Sequence, residues 1–150
     1  MKRLATFTID GEAFGVDVSR VREVLRPQDL TPIPLAPPEV AGLINLRGEI
    51  VTALDLRVRL GSPTRADDRA MSLIMTTAHG PVSLLVDDVG EVLEVGDGRF
   101  DPPPTTLRGA ARELIVGTYS IHDRLLMELD VEHAIDGTTP SGADVEMEDR

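Results

Sequence analysis

At 150 residues the chain has room for one domain of ordinary size or for two very small units that share a core. Hydrophobic residues make up 41% and aromatic residues 3%, so the core must be built from Val, Leu and Ile, which favour strands. The net charge of −11 repels phosphate backbones and anionic lipid headgroups, which makes nucleic acid and bare membrane poor partners. Without cysteine there is no disulfide framework and no Cys-ligated zinc. No signal peptide or membrane span is recognisable, so we expect a cytoplasmic protein.

The first predicted elements are a hairpin and a short helical turn. Residues 5–9 alternate apolar and polar side chains, Asp10-Gly11 is a favoured two-residue turn, and residues 14–18 supply the return strand. Ser19 is expected to cap a helical turn over residues 21–25, which the following proline ends.

The later elements continue this plan of short strands and very short helices. In chain order they are a strand over residues 50–56, a helix over residues 56–60 capped by Asp55, a hairpin of residues 71–76 and 82–86 that turns at His79-Gly80-Pro81, and a helix over residues 131–135 capped by Asp130. Because the helical pieces are so short, strands dominate the prediction.

A faint internal repeat organises these elements. Residues 14–25 align with residues 82–93, and both blocks end in Glu-Val-Leu and lead into a proline-rich loop. Residues 42–56 align with residues 117–131, and both contain a glycine, a strand, a polar turn, a second strand and a closing apolar-Asp-apolar sequence. Two matches in the same order indicate two similar structural units.

The predicted fold is all-β, with two similar β-barrels packed together and a few short helices, because many short strands separated by Gly and Pro turns favour small barrels. The folded domain is expected to cover residues 1–136, with a polar connector at about residues 62–70 between its two barrel-like halves. Residues 137–150 are small, polar and acidic without periodicity, and we expect them to be disordered.

The sequence gives an enzymatic function no positive support. It contains no Gly-x-Ser-x-Gly elbow, phosphate-binding loop or His-Glu-x-x-His motif. His79, His122 and His133 fall in predicted turns and in the last helix, where solvated surface residues are expected. The adjacent carboxylates Asp67-Asp68 and Asp87-Asp88 would project to opposite faces of a strand, so solvation and turn capping explain them better than acid–base catalysis. No cofactor or metal is predicted.

Several blocks of the chain together resemble the CheW family of chemotaxis coupling proteins. The most recognisable is Gly42-Leu43-Ile44-Asn45-Leu46-Arg47-Gly48-Glu49-Ile50-Val51, which continues to Leu54-Asp55-Leu56-Arg57. The others are residues 15–25, the proline loop at residues 33–38, residues 85–93, and Gly117 with residues 123–130. The resemblance extends from about Leu4 to Ile135.

This resemblance implies a non-enzymatic adaptor made of two SH3-like five-stranded β-barrel subdomains. Family members bind the cytoplasmic tip of chemoreceptors and the regulatory domain of a CheA-type histidine kinase, and they are recruited through these partners to membrane receptor arrays. The resemblance implies that the segment with Val21 and Glu23 contacts the receptor.

Four further residues of the family block are candidate contact residues with more than one interpretation. Arg47 is either an exposed turn cation or a guanidinium that donates hydrogen bonds at a contact, and its family position favours the contact. Asn45 and Gly48 suit backbone positions with positive φ, and Gly42 could permit the close approach of another backbone segment.

Two alternative functions remain compatible with the sequence. The chain could bind receptors without coupling them to the kinase, because the second half's interface is formed by scattered apolar residues. It could also sense a small ligand in the cleft between the barrels. A thermal-shift screen separates a ligand sensor from an adaptor, because a ligand that binds the native state raises its stability.

Overall fold

The structure is a computed structural model that describes residues 2–96, 98–107 and 109–136, so the predicted acidic tail at residues 137–150 lies outside the described residues. The described residues form eleven strands and a few very short helices. The strands are β1 (Arg3–Ile9), β2 (Glu12–Asp17), β3 (Val21–Leu25), β4 (Val40–Leu46), β5 (Glu49–Asp55), β6 (Met71–Thr77), β7 (Gly80–Val86), β8 (Asp88–Glu94), β9 (Arg99–Asp101), β10 (Ile115–Ile121) and β11 (Arg124–Leu129). The helices are a 3-10 helix at Val18–Arg20 and α1 (Leu56–Arg59), α2 (Gly109–Leu114) and α3 (Val131–Ile135).

The strands form two sheets, each assembled from both halves of the chain. One sheet has the order β3-β6-β7-β5-β4, and the other has the order β8-β1-β2-β11-β10-β9. The hairpin β1–β2 therefore joins strands of the second half, whereas the hairpin β6–β7 joins strands of the first half. The all-β prediction with two similar units is confirmed, but the units do not coincide with the two consecutive halves of the sequence.

The internal repeat is visible in the strand registers. Met127 of β11 lies beside Phe14 of β2 in a parallel pair, and Thr52 of β5 lies beside Val82 of β7 in the other parallel pair. The sequence alignment places Phe14 over Val82 and Thr52 over Met127, so the two registers are equivalent. β9 extends the second sheet beyond the five equivalent strands, and an isolated bridge between Thr31 and β4 occupies its place in the first.

The core joins the two sheets. Its largest apolar cluster combines Phe7 and Phe14 of one sheet with Leu73 and Leu84 of the other, and all four are at most 4% exposed. The Phe7 and Phe14 rings stack with centroids 5.7 Å apart. Burial of aliphatic and aromatic surface on this scale is the main force that holds the sheets together.

The helical turn predicted over residues 21–25 is wrong, because this segment is strand β3. β3 pairs antiparallel with β6, which lies about fifty residues further along the chain, so the competing partner is not visible in the local sequence. Only residues 18–20 are helical, and Asp17 rather than Ser19 accepts the capping hydrogen bond, from the Ser19 N–H. A smaller shift places Gly80 and Pro81 in β7 and the preceding turn at residues 78–79.

The two aspartate caps agree with the sequence prediction. Asp55 is 2% exposed and accepts hydrogen bonds from the Arg57, Val58 and Ala66 N–H groups. Asp130 accepts from the His133 N–H at the start of α3. Capping satisfies backbone donors that the first helical turn leaves free, and here it also fixes the direction in which the chain leaves β5 and β11.

Candidate protein-binding surface

The hairpin turn between β4 and β5 fixes the position of Arg47. Arg47 and Gly48 have φ values of 52° and 90°, the left-handed pair that a tight two-residue hairpin requires. The Asn45 side-chain oxygen accepts a hydrogen bond of 2.9 Å from the Gly48 N–H. The expectation of positive φ is confirmed for Gly48 but wrong for Asn45, which holds the turn through its side chain while Arg47 takes the left-handed conformation.

Glu23 and Arg47 form an ion pair between two outer strands. Arg47 Nη2 donates to Glu23 Oε2 at 2.6 Å. Glu23 lies on β3 and Arg47 directly follows β4, and these strands are the two ends of the five-stranded sheet. A second pair, Arg22 with Glu49 at 3.0 Å, joins β3 to β5 beside the first. Because the Arg47 side chain is still 64% exposed, a partner could reach it.

The remaining two candidates, Val21 and Gly42, have structural roles. Val21 is partly buried and packs against the main core. Gly42 lies on β4 near the opposite end from Arg47, where a Cβ atom would stand 2.7 Å from the Thr31 carbonyl oxygen. Thr31 and Leu43 exchange two backbone hydrogen bonds of 2.9 and 2.8 Å across this contact. The close approach expected of Gly42 is therefore what the geometry requires.

Exposed apolar side chains, which the sequence did not predict, flank the ion pairs. Val24 on β3 and Ile50 on β5 are 43% and 58% exposed. Their equivalents in the repeat, Val92 on β8 and Leu125 on β11, are exposed to a similar degree. Strand alternation turns Val24 outward together with Arg22, and the prediction of a helical turn over residues 21–25 hides this signal in the sequence.

A polar network also joins the two sheets at Arg57. Its guanidinium donates to both carboxylate oxygens of Asp87, at 2.8 and 2.7 Å, and lies 2.6 Å from a carboxylate oxygen of Asp10. Asp87 also accepts from the Asp10 N–H at 2.8 Å, and Asp10 accepts from the Ser62 hydroxyl at 2.6 Å. A bidentate pair of this kind is geometrically specific, so it holds Asp87 in place against α1. The contact between Arg57 and Asp10 holds the β1–β2 turn against the same helix.

The charges of this network shift each other's proton affinity. The hydrogen bond to Asp87 raises the pKa of Arg57 above its usual value. Partial burial by itself raises the pKa of Asp87, but the hydrogen bonds from Arg57 and from the Asp10 N–H outweigh it, and the pKa of this carboxyl is lowered. Both groups are therefore held in their charged forms.

Among residues 2–96, 98–107 and 109–136, no helix is long and apolar enough to cross a membrane. In the same ranges, no three or more His, Asp or Glu side chains are grouped so that they could hold a metal ion. Two similar β-units with exposed ion pairs and exposed apolar side chains are the arrangement expected of a protein-binding module.

Comparisons with known proteins identify the family. The family model for the CheW-like domain matches residues 3–138, so the chain belongs to this family. A chemotaxis protein CheW of Rhizobium meliloti is 33% identical over 132 residues, which cover 86% of this chain and 85% of that protein. A chemotaxis protein CheW of Treponema pallidum is 28% identical over 86% of this chain and 79% of its own length.

A solved structure supports the same assignment. The crystal structure of the scaffolding protein CheW of Thermoanaerobacter tengcongensis superimposes with a TM-score of 0.79 at 28% identity, and the match covers 90% of this chain and 92% of that one. The chain is thus a non-enzymatic adaptor of chemotaxis signalling, as its resemblance to the CheW family implied.

Proposed function

We propose that this chain couples the cytoplasmic tips of chemoreceptors to the regulatory domain of a CheA-type histidine kinase. It acts in the cytoplasm and reaches the membrane only through these partners, since a net charge of −11 disfavours direct contact with anionic lipid or nucleic acid. Catalysis is not needed for this role. Signalling depends on how the adaptor holds receptor and kinase relative to each other.

The Glu23–Arg47 ion pair is the observation that connects this proposed function with particular residues. Glu23 lies on the outer strand β3 and Arg47 in the turn that follows β4, where the 64% exposed Arg47 side chain can be reached by a partner. Val24 on β3 and Ile50 on β5 provide exposed apolar surface. An apolar centre with charged groups at its rim is the usual composition of a protein–protein contact. We assign this surface to the receptor.

Co-sedimentation with the receptor's cytoplasmic fragment and the kinase, each alone and together, tests the function. We expect the chain to sediment with either partner and to increase the amount of kinase that sediments with receptor. If the chain sediments with receptor but the kinase stays in the supernatant, the chain binds receptors without coupling them to the kinase.

Arg47→Ala tests the surface. Removing a charged hydrogen-bonding group from a contact is expected to weaken receptor binding by about 1–3 kcal/mol, whereas the free energy of unfolding should fall by less than about 1 kcal/mol. Glu23→Lys should weaken binding as well, because a reversed charge adds repulsion. Arg124→Ala is the matched control, since Arg124 lies on the equivalent hairpin of the other sheet. Unchanged binding with a much lower melting temperature would make Arg47 a structural residue.

A further inference from the structure

The two repeat units differ in the side chains that fill one place in their interiors. In the unit of the second sheet, the Nζ atom of Lys2 lies 2.9 and 2.8 Å from the two carboxylate oxygens of Glu128. It also lies 5.9 Å from the centroid of the Tyr119 ring. Because the Glu128 side chain is only 9% exposed, a long aliphatic cation and a nearly buried anion occupy this place.

The equivalent place in the five-stranded sheet is lined by alanines. The hairpins β1–β2 and β6–β7 pair in equivalent registers, which makes Ala70 the equivalent of Lys2. The alignment of the repeat makes Ala53 the equivalent of Glu128. Ala53 and Ala70 belong to the same apolar cluster. Two small side chains therefore stand where the other unit has an ion pair.

A cavity of about 290 Å³ opens beside Ala70. Its lining includes the apolar side chains of Ala41, Ala66 and Ala70 and the carboxylates of Asp29, Asp67 and Asp68. Ala70 is 8% exposed, whereas all three aspartates are exposed, so the cavity has an apolar interior and an acidic mouth. Its volume lies at the lower end of the range for small-molecule sites, which is about 300–1,000 Å³.

The negative charge at the mouth is only weakly compensated. Asp67 Oδ2 lies 3.7 Å from Arg69 Nη2, in a pair that solvent screens strongly because the Arg69 side chain is 89% exposed. Within the part of the chain that the structure describes, no hydrogen bond or ion pair reaches the carboxylates of Asp29 or Asp68. These charges favour a positively charged group at the mouth and disfavour an anion.

Two buried hydroxyl groups on the inner face of this unit lack a hydrogen-bonding partner. Strand alternation turns Ser72 of β6 to the same side as Ala70, and it turns Ser83 of β7 to the same side as Leu85. Ala70 and Leu85 both belong to the apolar cluster of this interior. Ser72 and Ser83 are 0% exposed, and neither hydroxyl is bonded to another described residue. Because buried polar groups are normally paired, these hydroxyls favour a ligand that brings its own hydrogen-bonding group.

We propose that this cavity binds a small aliphatic primary amine that carries a hydroxyl group at its other end. Its ammonium group lies at the mouth among Asp29, Asp67 and Asp68, and its methylene chain packs against the alanines. Its hydroxyl group bonds to Ser72 and Ser83. The other repeat unit supports this choice of ligand, because an aliphatic ammonium group of the chain itself occupies the equivalent place there. The site goes beyond the proposed coupling of receptor and kinase and does not depend on it.

Nuclear magnetic resonance titrations of the full chain with four probes test this site. Aminopentanol carries an ammonium and a hydroxyl group at opposite ends, pentylamine lacks the hydroxyl group, pentanol lacks the ammonium group, and hydroxypentanoate carries the opposite charge. We expect aminopentanol to shift the amide signals of Ala41, Ala66 and Ala70 saturably. It should bind about threefold more tightly than pentylamine and about tenfold more tightly than pentanol, and hydroxypentanoate should not saturate the signals.

Variants at the two ends of the cavity separate the contributions of charge and hydrogen bonding. Asp29→Asn combined with Asp68→Asn removes two carboxylates from the mouth and should weaken the binding of both amines about fivefold. Ser72→Ala combined with Ser83→Ala should lower the affinity for aminopentanol to that for pentylamine and leave the affinity for pentylamine unchanged.

Glu94→Gln combined with Asp123→Asn is the matched control for charge. It removes two exposed carboxylates from the other sheet and its hairpin turn, so both amines should bind as they bind the parent. The melting temperature of each variant checks that the fold is kept.

Three outcomes would overturn the proposal. Equal affinities for aminopentanol and pentanol would show that the carboxylates do not select a cation. Saturation by hydroxypentanoate, or no saturable shift at the cavity with any probe, would exclude the site. An advantage of aminopentanol over pentylamine that survives the serine substitutions would show that the serines do not hold the hydroxyl group.

Discussion

The chain crosses between the two sheets at two equivalent places. At each crossing an ion pair joins the crossing segment to a short helix, but the positive and negative side chains exchange positions. At the first crossing, residues 18–20 lead from β2 to β3, and Arg20 pairs with Glu132 of α3. At the second, Asp87 leads from β7 to β8 and pairs with Arg57 of α1. In one crossing the cation belongs to the crossing segment and in the other it belongs to the helix.

The two crossings also differ in burial, which decides how much each ion pair stabilises the fold. The side chains of Arg57 and Asp87 are about one-fifth exposed, whereas those of Arg20 and Glu132 are 32% and 43% exposed. Arg57 additionally reaches Asp10. Solvent screens exposed pairs strongly, so equivalent positions in the backbone have unequal energetic weight. The two repeat units therefore share their strand geometry but differ in the side chains that stabilise it.

The largest expected effect concerns the glycines of the repeat, Gly42 and Gly117. A Cβ atom at Gly42 would stand 2.7 Å from a backbone oxygen, at a φ of 155° that favours glycine. At Gly117 it would stand 2.4 Å from the Phe100 ring and 2.6 Å from the Asp101 carbonyl oxygen, without positive φ. We expect Gly42→Ala to cost about 2–4 kcal/mol and Gly117→Ala about 1–3 kcal/mol in urea unfolding.

Gly48→Ala separates strain from collision in this experiment. Gly48 has a φ of 90° but nothing lies within 4 Å of its added Cβ, so the variant should lose only the strain energy, about 1 kcal/mol. Equal losses for all three variants would mean that close packing at Gly42 and Gly117 contributes nothing.

Substitutions at the two crossings come next in size. Arg57→Ala leaves the carboxylates of Asp87 and Asp10 without their cation, so we expect it to cost about 1–3 kcal/mol of unfolding free energy. Glu132→Ala removes the equivalent side chain of α3 from a more exposed pair and should cost less than about 1 kcal/mol. Equal losses, measured by urea unfolding, would contradict the asymmetry between the crossings.

The contribution of Asp87 to stability should depend on pH. The folded pKa of Asp87 is lowered, so its contribution is fully present above the unfolded value of about 3.9 and disappears as the pH falls through the lowered folded value. The stability difference between the parent and Asp87→Asn should therefore be largest near neutral pH and shrink below about pH 4. A difference that stays constant into acid would show that the contribution of Asp87 does not depend on its charge.

Sequence alone predicted the strand-rich fold, the repeat and the aspartate caps, because these depend on local periodicity and local hydrogen bonds. It did not predict β3, since its pairing with β6 is a long-range contact. For the same reason it did not predict the exchange of hairpins between the sheets. The interface candidates Glu23 and Arg47 came from a family resemblance, but their mutual ion pair needs the folded sheet. Arg57 and Asp87 were missed as a pair because thirty residues separate them in the sequence.

The smallest expected effect is the stabilisation contributed by Glu23 and Arg47, and it bears directly on function. Their atoms are 2.6 Å apart, whereas the related pair of Glu91 and Arg124 on the other sheet is 3.8 Å apart, and Glu91 is far more exposed than Glu23. Double-mutant cycles of unfolding free energy should give a coupling of about 0.2–1 kcal/mol for the first pair and none for the second. A surface pair this weak can be exchanged for contacts with a partner at little cost to the fold. A coupling well above 1 kcal/mol would make the pair a brace between the outer strands, and weaker receptor binding by Arg47→Ala would then be explained by a loosened sheet.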